Sequence, residues 1–189
     1  MAKMTKKQQR WNVSVEMVTE LNRNDISEIS DAAESAIAAG GGFGWLTPPP
    51  RSVLENYWKG VLLIPDRQLF VGRLDEVIVG SCQIVTPPKN NEAQAFACQL
   101  TTFFLMPEAR GYGIAQRLVA EAEDYARSAG FRVLNLDVRA TQDRAIHAFE
   151  ALGYEHFGTN KYYAFVDDDY VAGLYFTKKL YDEKTHEKK

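Results

Sequence analysis

The chain has 189 residues, 46% of them hydrophobic and 25% charged, with a formal net charge of −3 and an isoelectric point near 5.7. That length suits one domain with a core of its own, and the composition is that of a globular protein, not of a disordered, fibrous or low-complexity one. The slight acidity argues against a nucleic-acid partner, and without an apolar run of ~18 residues no membrane-spanning helix or membrane partner is expected.

In chain order, Lys3, Lys6, Lys7 and Arg10 make the N-terminus basic, but no apolar stretch follows as in a secretory signal, so a frayed start is expected. Residues 11–18 alternate and carry Trp and Val, a strand pattern. Asn24 or Asp25 can cap a helix starting near Ile26, whose Ile26, Ile29, Ala32, Ala33 and Ile37 keep helical spacing until Gly40, Gly41 and Gly42 end it. Residues 39–50 form a loop, freed by glycines and then stiffened by three prolines. A short helix over Arg51–Leu62 follows. The β-rich runs Arg67–Arg73 and Glu76–Thr86 read as a hairpin around Leu74 and Asp75. Ala93–Met106 reads as a long strand ending at Pro107.

In the second half, Gly111–Gly130 is an amphipathic helix with Ile114, Leu118, Val119, Ala122, Tyr125 and Ala126 on its core face. Phe131–Arg139 is a buried strand, Gln142–Leu152 a helix, and Tyr162–Phe165 and Val171–Leu180 two closing strands around three aspartates. The tail Tyr181–Lys189 is charged and expected to fray. The order βα(α)βββαβαββ means an α/β (α+β) domain with a mixed sheet, a single domain over 1–189 with an ordered core of about 11–180. Cys82 and Cys98 lie in apolar, strand-like sequence without metal-ligand spacing. They read as buried core thiols in a reducing cytoplasm, and no metal site is expected.

The chemistry concentrates in Phe103–Ala115, FFLMPEARGYGIA. A strand ends, a turn carries Arg110, Gly111 and Gly113, and a helix begins. The free N–H groups and dipole of a helix start attract anions, glycines let the backbone approach a phosphate, and an arginine adds a charge-assisted contact. The arrangement suits a diphosphate, but a tight strand-to-helix turn needs glycines too. It is neither a P-loop nor the dinucleotide fingerprint, because neither Gly-Lys-Ser/Thr nor GxGxxG is present.

The run Arg110-Gly111-Tyr112-Gly113-Ile114-Ala115 resembles the Arg/Gln-x-x-Gly-x-Gly/Ala signature of the GNAT superfamily of N-acetyltransferases, and Ala145–Gly158 resembles its helix–Gly–aromatic–strand segment. The likeness is strong over about 93–165. It implies a mostly antiparallel sheet split in a V between two central parallel strands, helices on both faces, and acetyl-CoA as cosubstrate. The backbone of Phe103, Phe104 and Leu105 would pair with the pantetheine amides, and the amides of Arg110, Gly111, Tyr112, Gly113, Ile114 and Ala115 would hold the pyrophosphate. Gln142, Ala145 and Phe149 would border the thiol end. An acceptor amine on a small molecule, peptide or protein would attack the thioester directly, and a backbone N–H of the splayed strand would stabilise the oxyanion. Two residues depart from the family pattern. Phe149 stands where a tyrosine acid is frequent, leaving that role vacant, and Gln142 replaces a frequent Asn. A homodimer through the closing strands is a further family-level expectation.

Asp137, among apolar residues of the strand at 131–139, is the candidate general base, unless Arg139 or Arg132 takes it in an ion pair. His147 falls off the apolar helix face and Glu108 beside the turn is read as solvated. Tyr162 and Tyr163 point to opposite faces, so one could enter the acceptor site. Phe43 and Trp45, with Leu46, are candidates for an acceptor-binding wall. A non-catalytic acyl-CoA-binding module and a transferase for longer acyl chains are the alternatives to acetyl transfer.

Overall fold

The structure, a computed structural model, describes residues 11–181, so the basic N-terminal run and most of the charged tail lie outside the described residues. The elements follow the expected order: β1 (Val13–Val18), α1 (Arg23–Ala38), α2 (Arg51–Val61), β2 (Arg67–Leu74), β3 (Val77–Val85), β4 (Ala97–Leu105), α3 (Ile114–Ser128), β5 (Val133–Arg139), α4 (Asp143–Ala151), β6 (Glu155–Val166) and β7 (Asp169–Lys179). The seven strands form one sheet in the order β1-β2-β3-β4-β5-β7-β6. Every neighbouring pair is antiparallel except β4 and β5.

The parallel pair is short. It joins Ala97 to Val133, Cys98 to Leu134 and Gln99 to Asn135, and there the ladder stops. Beyond it the β5-facing edge of β4 has no strand partner, so the sheet opens in a V. Helices cover both faces, because each has one apolar stripe to bury. On one face α3 and α4 bury Ile114, Leu118, Ala122 and Phe149 against Leu100, Leu134, Leu136 and Phe176. On the other, α1 and α2 bury Ile29, Ile37, Leu54 and Trp58 against Leu69, Val71, Ile78 and Phe104.

Local chemistry moves several boundaries from their expected places. Asn22, not Asn24 or Asp25, caps α1: its side chain accepts from the N–H groups of Asn24 and Asp25, at 2.7 and 3.0 Å, and Asp25 accepts from Asn22 N–H in return. The β2–β3 turn sits on Asp75 and Glu76, at φ of 49° and 71°, the left-handed pair that matches strand twist. β4 starts at Ala97, not Ala93, because Glu92–Gln94 forms a 3-10 turn. The helix read from Gly111 starts at Ile114, since Gly111 and Gly113 have φ of 89° and 78°, which a right-handed helix does not allow. β6 runs over 12 residues and not only Tyr162–Phe165; its pairing with β7 slips twice and it is mostly exposed, so no alternation marks it.

Candidate active site

The turn between β4 and α3 is built as an open cradle. Gly113 occupies the N-cap position of α3 with no side-chain cap. The first-turn N–H groups are therefore left for a ligand or solvent. A Cβ added at Gly111 or Gly113 would meet no atom within 4 Å. Steric crowding thus does not require these glycines; the left-handed backbone does, and the space beside it is free for a ligand. A cavity of about 730 Å³ runs from this turn along the split and is lined by Phe103, Phe104 and Leu105, by Arg110, Gly111, Gly113, Ile114 and Ala115, and by Gln142 and Arg144. Of the expected coenzyme residues, two do not line it. Tyr112 turns its ring onto Trp11, at 5.6 Å, and Phe149 is buried between Phe103 and Tyr154.

β4 carries an irregularity that positions this site. Its pairing with β3 shifts between Ser81 and Gln83, and Thr102 there has φ of 52°, a rare conformation for a β-branched residue. The bulge changes which way the strand faces: Cys98, Leu100 and Phe103 all pack toward α3 and α4, whereas Phe104 packs toward α1 and α2. A chain of polar groups reaches the bulge. Arg67 donates to Gln83 at 2.8 Å, Gln83 donates to the Tyr57 hydroxyl at 3.1 Å, and that hydroxyl lies 3.4 Å from Thr102 Oγ1.

A second cavity, of about 450 Å³, occupies the mouth of the V and is lined by Phe43, Leu46, Thr101, Asp137, Phe149 and Tyr163, among others. Asp137 is half-buried on the face of β5 opposite Leu134, Leu136 and Val138. It pairs with neither Arg139 nor Arg132 in an ion bridge. Gln99 Nε2 donates to one carboxylate oxygen at 2.8 Å, and the Tyr163 hydroxyl donates to the other. Burial, and then the bond to the Asp137 carboxylate, pushes the Tyr163 phenol above its ordinary range. Arg139 instead donates to the carbonyls of Gly40 and Gly42, each at 3.1 Å, which straps the α1–α2 loop across the split.

Trp45 does not reach the acceptor cavity. Its ring packs on Phe43 and Tyr57, at 5.3 and 5.4 Å, because burying an indole against aromatics gains more than leaving it in an open cleft. Phe43 and Leu46 do line the cavity. His147 and Glu108 are exposed, as read. Tyr162 is 72% exposed, so Tyr163 is the one that enters the site. Nothing in the sequence marks Thr102 or Gln99, since a polar residue in an alternating strand looks like any solvent-facing one, and Tyr57 looks like any apolar-face residue of its helix. Among the described residues no group of three or more His, Cys, Asp or Glu could hold a metal, and no helix is long and apolar enough to cross a membrane.

Comparison with known proteins agrees with this geometry. Residues 26–154 match the family described as the acetyltransferase (GNAT) family. A curated relative in Azospirillum brasilense, named an uncharacterized N-acetyltransferase in the hisH-hisA intergenic region, is 57% identical over 133 residues, 70% of this chain and 79% of its own. The crystal structure of an N-acetyltransferase from Staphylococcus aureus superposes with a TM-score of 0.73 at 17% identity, covering 90% of this chain and 99% of that one. YncA from Salmonella typhimurium, solved with its cofactor acetyl-CoA, superposes with a TM-score of 0.70 at 13% identity over 90% of this chain and 95% of its own.

Proposed function

This chain belongs to the GNAT family of acetyltransferases, and on that footing we propose that it moves the acetyl group of acetyl-CoA to a primary amine by direct attack in a ternary complex. The observation that carries the reading is the cradle at Gly111 and Gly113, open beside an uncapped helix start and continuous with the split. Arg110 and the first amides of α3 would hold the pyrophosphate, and the free edge of β4 from Phe103 to Leu105 would pair with the pantetheine. Tyr112 and Phe149, whose side chains turn away from this cavity, would contribute through the backbone and from the thiol end. The amine would enter the cavity holding Asp137, walled by Phe43 and Leu46, with Asp137 as general base and a β4 backbone N–H facing the oxyanion. Both sites open into one cleft, so binding supplies proximity.

The acceptor is a small molecule, a peptide or a protein. Two free cysteines, both buried, favour a cytoplasmic setting. The exposed Phe165 and Tyr170 at the sheet's outer hairpin favour a homodimer there. Titration calorimetry with acetyl-CoA, coenzyme A and ATP tests the cofactor: micromolar binding of the first two but not ATP is expected. Coenzyme release with a panel of amines then separates a transferase from a non-catalytic acyl-CoA binder, and longer acyl-CoA thioesters test acyl length.

A further inference from the structure

Phe149 stands where related enzymes are expected to carry a tyrosine acid, and phenylalanine has no proton to give. The cavity that Phe149 lines is also lined by a phenol from another element, Tyr163 of β6. To reach it, the Tyr163 ring must cross β7, and two irregularities allow this. Asn160 pairs with Gly173 and Ala164 with Val171, so Lys161, Tyr162 and Tyr163 stand against Ala172 alone. The bulge is held from within, because Asn160 accepts from Tyr162 N–H at 2.9 Å. β7 offers a glycine at the crossing: a Cβ at Gly173 would overlap the Tyr163 ring. The hydroxyl then arrives on Asp137 Oδ2, while Gln99 steadies Oδ1 from the other arm of the V. Lone pairs on both carboxylate oxygens remain free for an incoming N–H.

We propose that Tyr163 fills the vacant role, donating its proton to the departing coenzyme sulfur and recovering it from Asp137. This assignment rests on the acetyl-transfer reading above. The acceptor nitrogen bonds to the thioester carbon. The carbon–sulfur bond then breaks, and its electron pair leaves on sulfur. The nitrogen gives one proton to Asp137, Tyr163 gives its own to sulfur, and the phenolate takes the proton that Asp137 holds. An amine and a thioester become an amide and a thiol, and both residues end as they began. While Asp137 is charged it holds the phenol above its ordinary range and keeps its proton in place; once Asp137 has taken the amine's proton that hold is lost, and the phenol can give its own to sulfur.

Steady-state coenzyme release by Tyr163→Phe tests this, with acetyl-CoA as donor and free lysine, a peptide with an N-terminal alanine, spermidine and kanamycin as acceptors. The expected kcat is about a hundredfold below wild type, with the KM for acetyl-CoA and the Kd for coenzyme A within about twofold, as only a chemical step is lost. Adding Phe149→Tyr to Tyr163→Phe puts a phenol back into the same cavity and should restore kcat about tenfold, whereas a tie between strands would not be mended from α4. A Tyr163→Phe kcat equal to wild type, a loss confined to KM, or a folded double variant no faster than Tyr163→Phe overturns the assignment. A folded wild type that binds neither acetyl-CoA nor coenzyme A by calorimetry overturns the acetyl-transfer reading itself, and is told apart because no variant then differs.

Discussion

At the residue scale, the cradle and the base can be separated by substitution. Gly113→Asp places a carboxylate where the pyrophosphate is assigned; its Cβ meets no neighbouring atom, and the left-handed backbone there costs an aspartate only about 1 kcal/mol. The fold should survive while calorimetry finds acetyl-CoA bound weaker by on the order of a hundredfold or more, from a lost anion site and an added repulsion. Asp137→Asn keeps shape but cannot take a proton, so kcat should fall about 10²–10⁴-fold with coenzyme affinity unchanged. The two thiols make a different prediction. Burial pushes Cys98 from 9.0 up to about 12 and pushes Cys82 higher. At pH 8 an aromatic disulfide should leave both thiols unlabelled in the native protein and titrate both after unfolding, so coenzyme release can be read without protein background. The unfolded thiols ionise near 9 and the native ones do not. The unfolded state therefore binds fewer protons, and stability, complete below pH 9, falls as pH rises above it.

At the element scale, the α1–α2 loop sits between the two cavities. Its residues Gly40 and Gly41 line the coenzyme side and Phe43 and Leu46 the acceptor side, and Arg139 anchors it from β5. Trp45 faces inward, so Trp45→Ala should lower stability by about 1–3 kcal/mol, less than a fully buried aromatic loses. It should raise the acceptor KM only through Phe43. Leu46→Ala, at an exposed cavity wall, should raise acceptor KM with an unchanged melting temperature; equal effects from both would contradict this division. The helices and the hairpin of β2 and β3 were legible because one period and one buried face mark each. The bulge at Thr102 and the path of β6 were not. Both interrupt a period, and what stabilises them lies elsewhere in the chain: Tyr57 and Gln83 for the first, Gly173 for the second. Asp137 could be picked out, but not its partners, because Gln99 and Tyr163 reach it across 38 and 26 residues of sequence.

At the scale of the whole molecule, the sheet is two halves with a weak joint. β1 to β4 form one half and β5, β7 and β6 the other, linked in the ladder by Ala97, Cys98 and Gln99 alone. Under α3 and α4 a single core runs through both halves, with Ile84 and Leu100 from one and Leu134 and Phe176 from the other. The core under α1 and α2 draws its strand residues from β1 to β4, all in the first half. On that face the halves are bridged by Gln99 to Asp137 and by Arg139 to the loop, which are bonds near water and individually modest. A ligand lying in the split would touch β4, α3 and α4 together and complete the joint. At a hundred times its Kd, acetyl-CoA should add about 2.7 kcal/mol to the unfolding free energy, a rise of roughly 5–10 °C in melting temperature for a chain of this size. Hydrogen exchange should slow most along β5 and the α1–α2 loop and least in β1 and β2. A uniform slowing would mean that the halves already open and close as one unit. A slowing confined to the cleft side would mean that the substrate itself completes the sheet, so that the acceptor meets a finished site only after the coenzyme is bound.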